Sequence, residues 1–131
     1  MRYLGIDYGS KRIGLAMSDA DGSIAFPKQT LLCKEDIFEK IMQMIEKEDV
    51  GALVVGDTRA LNGEANSVTE EADRFADRLQ MHTGLMVHRI FEAWSSQEAA
   101  RFAPRGKKHD DASAAAVILQ RYLDKTGGSV Q

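Results

Sequence analysis

The stretch GIDYGSKRIGLAMSD, residues 5–19, predicts two strands joined by a tight turn. Apolar side chains alternate with small or polar ones on both sides of YGSK, and the glycine and serine of that tetrapeptide are typical of turns. We therefore predict a hairpin of strands over residues 2–7 and 12–17. A third strand is predicted over residues 24–32. Its Pro27 places it at an edge of the sheet, because proline cannot donate a hydrogen bond to a neighbouring strand.

The rest of the chain alternates between helical and strand patterns. Periodicity, capping motifs and apolar runs predict, in order, a helix over residues 37–45, a buried strand over 50–56, a helix from 67, a strand over 85–91, a short helix over 95–102 and a last helix from 110 or 111. A hairpin followed by right-handed crossovers gives a mixed five-stranded sheet with helices on both faces. We therefore predict an α/β fold.

Composition restricts the class of protein. The 131 residues are 44% hydrophobic and 28% charged, as in one folded domain, which we place at residues 1–125 with a flexible tail over residues 126–131. The lone Cys33 excludes an internal disulfide, and no stretch has the length of a membrane span or signal peptide. We therefore expect a cytoplasmic protein with no membrane partner. The net charge of −3 is not that of a strongly basic nucleic-acid binder.

Acidic residues follow the strands whose carboxyl ends meet at one edge of the predicted sheet. Asp7 ends the first strand, Asp57 follows the fourth and Glu92 follows the fifth, while Asp110 and Asp111 begin the last helix. Carboxylates in one cleft repel unless they bind protons or a cation, and oxygen ligands suit Mg²⁺ or Mn²⁺. Two such ions about 4 Å apart promote hydrolysis of a phosphodiester. Taken singly, each aspartate is alternatively explained as a helix or turn cap, and Glu92 alone carries little information.

Residues suited to phosphate and base contacts lie near these acids in sequence. The predicted turn offers backbone N–H groups and two cations to a phosphate: Gly9, Ser10, Lys11 and Arg12. A second basic group precedes the last helix and suits a nucleic-acid backbone: Arg101, Arg105, Lys107, Lys108 and His109. Trp94 is a candidate for base stacking, or alternatively a core aromatic residue. A solvated turn or loop is the alternative for both basic groups.

Five segments together identify a family pattern: GIDYGSKRIGLAMSD at residues 5–19, VVG at 54–56, an Asn-Gly pair at 62–63, ADRFADRL at 72–79 and DDASAAAVILQRYLD at 110–124. In this combination, over about residues 2–124, the sequence resembles the YqgF-type family. Members are described as Holliday junction resolvases and as nucleases that mature the precursor of 16S ribosomal RNA. The resemblance implies a ribonuclease-H-like three-layer sandwich and a metal-dependent phosphodiesterase.

The resemblance also implies roles for three acidic residues. Asp7 corresponds to the first catalytic aspartate of the family, Glu92 to the middle acid and Asp111 to the last, with Asp110 one position away. These residues, with Asp57 as a further candidate, would bind Mg²⁺ or Mn²⁺.

Two segments depart from the family pattern. After VVG, Asp57, Thr58 and Arg59 stand where a Leu-Pro pair is common. Phe91 and Ala93 stand where an aspartate and an arginine usually flank the middle acid. Our leading hypothesis is an endonuclease that cuts structured RNA or branched DNA as a monomer or homodimer. A non-catalytic nucleic-acid-binding module of the same fold is the first alternative. A nucleotide-binding phosphotransferase is the second, because kinases of related core share the Asp-x-Gly-Ser turn.

Overall fold

The structure is a computed structural model that describes residues 1–9, 11–34, 36–57, 67–91 and 111–126. Within these residues the chain forms five strands and three helices: β1 (Arg2–Tyr8), β2 (Arg12–Ser18), β3 (Ala25–Leu32), α1 (Ile37–Lys47), β4 (Val50–Asp57), α2 (Ser67–Thr83), β5 (Met86–Phe91) and α3 (Asp111–Thr126). Their types and order agree with the elements predicted for these segments. None of the helices described is long and apolar enough to cross a membrane.

The strands form one mixed sheet in the order β3-β2-β1-β4-β5. Strand β2 pairs with β1 and with β3 in antiparallel orientation, whereas β1 pairs with β4, and β4 with β5, in parallel. The predicted hairpin is confirmed, and β3 lies at an edge as Pro27 indicated. Because β1, β3, β4 and β5 run in the same direction, their carboxyl ends meet at one edge of the sheet, which we call the carboxyl edge.

Each face of the sheet is covered by helices that bury alternate strand residues. On one face, side chains of β1 and β2 pack against side chains of α1 and α2. The strands contribute Leu4, Ile6, Ile13 and Leu15, and the helices contribute Phe38, Ile41, Phe75 and Leu79. On the other face, a smaller cluster packs against α3 and includes Ala16, Val54, Ala115, Ile118, Leu119 and Leu123. The α/β fold with helices on both faces is therefore confirmed.

Helix α3 lies close to the sheet because glycines and alanines face each other there. A Cβ atom at Gly5 would come within 2.8 Å of the Cβ of Leu119. A Cβ atom at Gly14 would overlap the backbone of Asp111 and Ala112. The first turns of α3 consist of buried alanine and serine, which agrees with the prediction that this helix approaches the sheet closely.

Several predicted features lie outside the described residues. They are the short helix over residues 95–102, the basic loop before the last helix and residues 127–131 of the predicted tail. Thr126, where the tail was predicted to begin, is instead the last residue of α3. The last helix itself begins at Asp111, which is one of the two starting positions predicted.

Candidate active site

Asp7 lies near the carboxyl end of β1, on the face of the sheet that α3 covers. Its Cα atom is paired with that of Gly14 across the antiparallel β1–β2 ladder, and directly opposed residues direct their side chains to the same face. At Gly14 that face is the one against the start of α3. Asp7 is partly buried and therefore sits where the sheet, the helix and solvent meet.

Asp111 is held at the start of α3 by contacts with two strands. Arg12 Nε donates to Asp111 Oδ2 at 2.9 Å, and the side chains are 62% and 34% exposed. The backbone N–H of Ala112 donates to Thr30 Oγ1 at 3.2 Å. This contact satisfies one of the N–H groups that a helix start leaves without an intrahelical partner. The first turn of α3 is therefore fixed by side chains of β2 and β3.

Gly14 connects the two aspartates. Opposed Cα atoms in an antiparallel pair are about 4.5–5.5 Å apart, so Asp7 lies within that distance of Gly14, which in turn contacts the backbone of Asp111. The structure thus brings Asp7 and Asp111, 104 positions apart in the sequence, to one face at the carboxyl edge. The guanidinium of Arg12 offsets part of the negative charge that accumulates there.

Other predicted acidic ligands fall at or beyond the limits of the described chain. Asp57 ends β4 with its backbone paired to Phe91, the last residue of β5, and its side chain is not among those described. Glu92, which follows directly, and Asp110 lie outside the described residues. Within the described part of the chain, no group of three or more acidic, histidine or cysteine side chains is arranged to hold a metal ion.

The turn between β1 and β2 is held by its carbonyl groups. The Gly9 carbonyl accepts the Cys33 thiol at 3.3 Å, and the Lys11 carbonyl accepts the backbone N–H of Cys33 at 2.8 Å. A Cβ atom at Gly9 would lie 2.6 Å from the carbonyl oxygen of Arg12, so this position requires glycine. Among the predicted nucleic-acid contacts, Gly9, Lys11 and Arg12 are thus located at the carboxyl edge. The others lie outside the described residues: Ser10, Trp94, Arg101, Arg105, Lys107, Lys108 and His109.

Three residues that support the site were not predicted from the sequence. Thr30 and Cys33 reach it through the register of β3, which no local pattern reveals. Gly14 carried a usable signal, because a glycine inside a strand often marks a close backbone approach.

Burial raises the pKa of the Cys33 thiol, and the negative charges of Glu71 and Asp111 raise that pKa further. Burial likewise raises the pKa of Tyr8, with smaller contributions from Cys33 and Glu71. A protonated thiol is a poor metal ligand. Among the residues described at this edge, Asp7 and Asp111 carry carboxylate oxygens, a donor type that fits Mg²⁺ or Mn²⁺ better than a thiophilic metal.

Comparison with known proteins identifies the family. A sequence model of RuvX, described as Holliday junction resolvase, matches residues 1–125. A Maridesulfovibrio salexigens protein named "Putative pre-16S rRNA nuclease" is 35% identical over 132 residues, which cover 94% of this chain and 98% of that protein. A Nitratidesulfovibrio vulgaris protein of the same name is 38% identical over 132 residues, which cover 94% of this chain and 93% of that protein.

Solved structures show the same fold at low sequence identity. Thermus thermophilus RuvC superposes with a TM-score of 0.65 at 16% identity, over 97% of both chains. The fowlpox virus Holliday junction resolvase superposes with a TM-score of 0.63 at 9% identity, over 95% of this chain and 99% of that one. These similarities confirm the ribonuclease-H-like fold implied by the YqgF-type resemblance. The chain therefore belongs to the RuvX family of Holliday junction resolvases, which are nucleases.

Proposed function

We propose that this chain is a metal-dependent endonuclease that hydrolyses phosphodiester bonds in structured nucleic acid. The observation that carries the proposal is the convergence of Asp7 and Asp111 on one face of the sheet, through Gly14. The names of the two bacterial relatives support precursor 16S rRNA as the substrate, and we place the cut at its 5′ end. Holliday junctions are a second candidate, supported by the family description and by a T. thermophilus RuvC structure solved with a Holliday junction substrate.

In this proposal Asp7, Glu92 and Asp111 are the catalytic carboxylates and hold Mg²⁺ or Mn²⁺, with Asp57 and Asp110 as further candidate ligands. Such ions, when bound, activate water and stabilise the leaving oxygen of a phosphodiester. The protein supplies the rigid placement of the carboxylates, because a misplacement of about 1 Å can reduce a rate by about 100-fold.

Two further contacts orient Asp111 for that role. Arg12 Nε, at 2.9 Å, restricts the rotation of the Asp111 carboxylate. Thr30, through its hydrogen bond to the Ala112 N–H, restricts movement of the first turn of α3.

Basic residues around this edge are proposed to hold the substrate backbone. They are the turn residues Gly9, Ser10, Lys11 and Arg12 and the loop residues Arg105, Lys107, Lys108 and His109, with Trp94 stacking on a base. Local potential rather than the net charge of −3 decides such docking. We further propose a cytoplasmic protein, monomeric or homodimeric, with one domain over residues 1–125.

Cleavage assays with matched aspartate variants test the proposed function. Purified protein with Mg²⁺ or Mn²⁺ is offered a 5′-extended fragment of precursor 16S rRNA and a four-way DNA junction. We expect Asp7→Asn and Asp111→Asn to reduce cleavage by about 100-fold or more, since loss of an outer partner of a metal ligand alone costs about 10–100-fold. Asp77→Asn, the same change at an exposed position of α2, is expected to cut like the wild type.

Equal cleavage by the wild type and Asp7→Asn would contradict the proposal. Binding of RNA without cleavage in any divalent ion would instead support a non-catalytic binding module. The departures from the family pattern at Phe91 and Ala93 favour that alternative. Preferential cleavage of the RNA fragment or of the junction decides between the two substrates.

A further inference from the structure

A groove of about 410 Å³ separates the edge strand β3 from helix α1. It opens on the face covered by α1 and α2, opposite the face that bears Asp7. Three lysines line it, Lys28 from β3 and Lys40 and Lys47 from α1, together with two glutamines and one glutamate. The groove is thus positively charged in a chain whose net charge is −3.

Two lysines of α1 lie on the same face of the helix. Lys40, Gln43, Met44 and Lys47 line the groove, and their spacing of three and four residues is that of one helix face. The acidic Glu46 lines a different cavity, between α1 and the segment that leads into β5. The lysines of this helix are therefore concentrated on the side that faces β3.

A β-bulge places the third lysine at the groove. The register of β2 and β3 shifts after Leu15, and Lys28 is the extra residue in the longer strand. Bulges commonly redirect a side chain in this way. The carboxylate of Glu48 is bound by Arg2 at 3.3 Å and by Lys28 at 3.6 Å. The charge of Lys28 is thereby partly offset, and the net positive charge of the groove comes mainly from Lys40 and Lys47.

The groove leads away from the carboxyl edge. Helix α1 follows the end of β3 at that edge and precedes the start of β4 at the opposite edge. Lys40 is therefore near the carboxyl edge and Lys47 is farther from it. Seven residues of helix separate the two by about 10 Å. This length equals the advance of about three phosphates of one strand along the axis of a duplex, at about 3.4 Å each.

We propose that this groove, here named the lysine groove, binds the phosphate backbone of a substrate strand as the strand leaves the carboxyl edge. The inference rests on the proposed function, because it takes the occupant to be the same nucleic acid. Lys40 is paired with Asp36 at 3.5 Å, but both side chains are more than half exposed. Such exposed pairs contribute little, and the ammonium group is available to a phosphate.

Salt-dependent binding of matched variants tests the lysine groove. Affinity for a fluorescent single-stranded RNA is measured in EDTA, so that binding is separated from cleavage. Lys40→Gln with Lys47→Gln removes two cations and leaves the edge strand unchanged. Because each phosphate contact to a single strand contributes about 0.7 to the slope of log K against log salt, we expect the slope to fall in magnitude by about 1.4.

Two controls separate charge from structure. Lys40→Arg with Lys47→Arg keeps both charges and is expected to keep the wild-type slope. Arg121→Gln with Lys125→Gln removes two charges from α3, on the other face of the sheet, and is expected to leave the slope unchanged. Melting curves verify that all variants are folded; Lys40, Lys47 and Lys125 are exposed, and Arg121 is partly buried.

The outcomes distinguish this inference from the proposed function. A wild-type slope in the Lys40→Gln, Lys47→Gln variant, or an equal loss in the α3 control, overturns the lysine groove and leaves the nuclease proposal standing. A reduced slope together with undiminished cleavage by Asp7→Asn overturns the catalytic proposal and supports the groove. Failure of the wild type to bind RNA in the assay overturns the groove.

Discussion

Replacement of Gly14 by alanine is the most direct perturbation of the contact between α3 and the sheet. A Cβ atom at this position would overlap the carbonyl group of Asp111 and approach the Ala112 nitrogen. These are backbone atoms, so a side-chain rotation cannot relieve the clash. The first turn of α3 has to move away from β2, which weakens its hydrogen bond to Thr30 and shifts Asp111 relative to Asp7.

The size of the effect follows from the packing around this point. Overpacking of a close-packed interior costs about 1–3 kcal/mol, and we expect the upper end because backbone has to move. A loss of about 3 kcal/mol corresponds to a decrease of about 10 °C in melting temperature for a domain of this size. Displacement of Asp111 by about 1 Å is expected to reduce cleavage by about 100-fold below the melting temperature.

Gly51→Ala is the matched control, since Gly51 also lies in a strand. Its Cβ atom would meet the side chain of Met1, which is flexible and 66% exposed and can move aside. We expect the free energy of unfolding of this variant to lie within about 1 kcal/mol of that of the wild type. Thermal and urea unfolding, with cleavage assayed on the same samples, measure both effects. If Gly14→Ala unfolds like Gly51→Ala and cleaves like the wild type, the close approach of α3 to β2 is refuted.

Two other predictions concern titration. The Asp19 carboxylate accepts hydrogen bonds from the Ser23 and Ile24 N–H groups, which lower its pKa from 3.8. The stability that this carboxylate adds is present above its unfolded pKa and is lost as pH falls through its folded pKa. We therefore expect the melting temperature of Asp19→Asn to fall less than that of the wild type between about pH 6 and pH 2.5. Equal decreases would contradict this. Burial, then the charges of Glu71 and Asp111, raise the pKa of Cys33. Its reaction with a disulfide reagent should therefore rise with a midpoint above about pH 8.5, and Asp111→Asn should lower that midpoint; an unchanged midpoint would argue against the proximity of these groups.

The strands and helices of this fold could be predicted from local sequence patterns. The apolar alternation on both sides of the turn, Pro27 in the third strand and the continuous apolar run of β4 each depend on residues a few positions apart. Such patterns determine whether a segment forms a strand or helix and which strand lies at an edge. The proximity of acidic residues was predicted only in outline, from the rule that the carboxyl ends of parallel strands share one edge.

Register and helix placement required the tertiary structure. Nothing near Thr30 or Cys33 in the sequence indicates that one binds the start of α3 and the other the β1–β2 turn. The pairing of Arg12 with Asp111 joins residues that are 99 positions apart. The sequence alone therefore determined the elements, the edge strand and the family resemblance, because these depend on local chemistry. Only the packed structure decided which side chains meet, because long-range contacts depend on the register of the strands and on the closeness that glycine permits between α3 and the sheet.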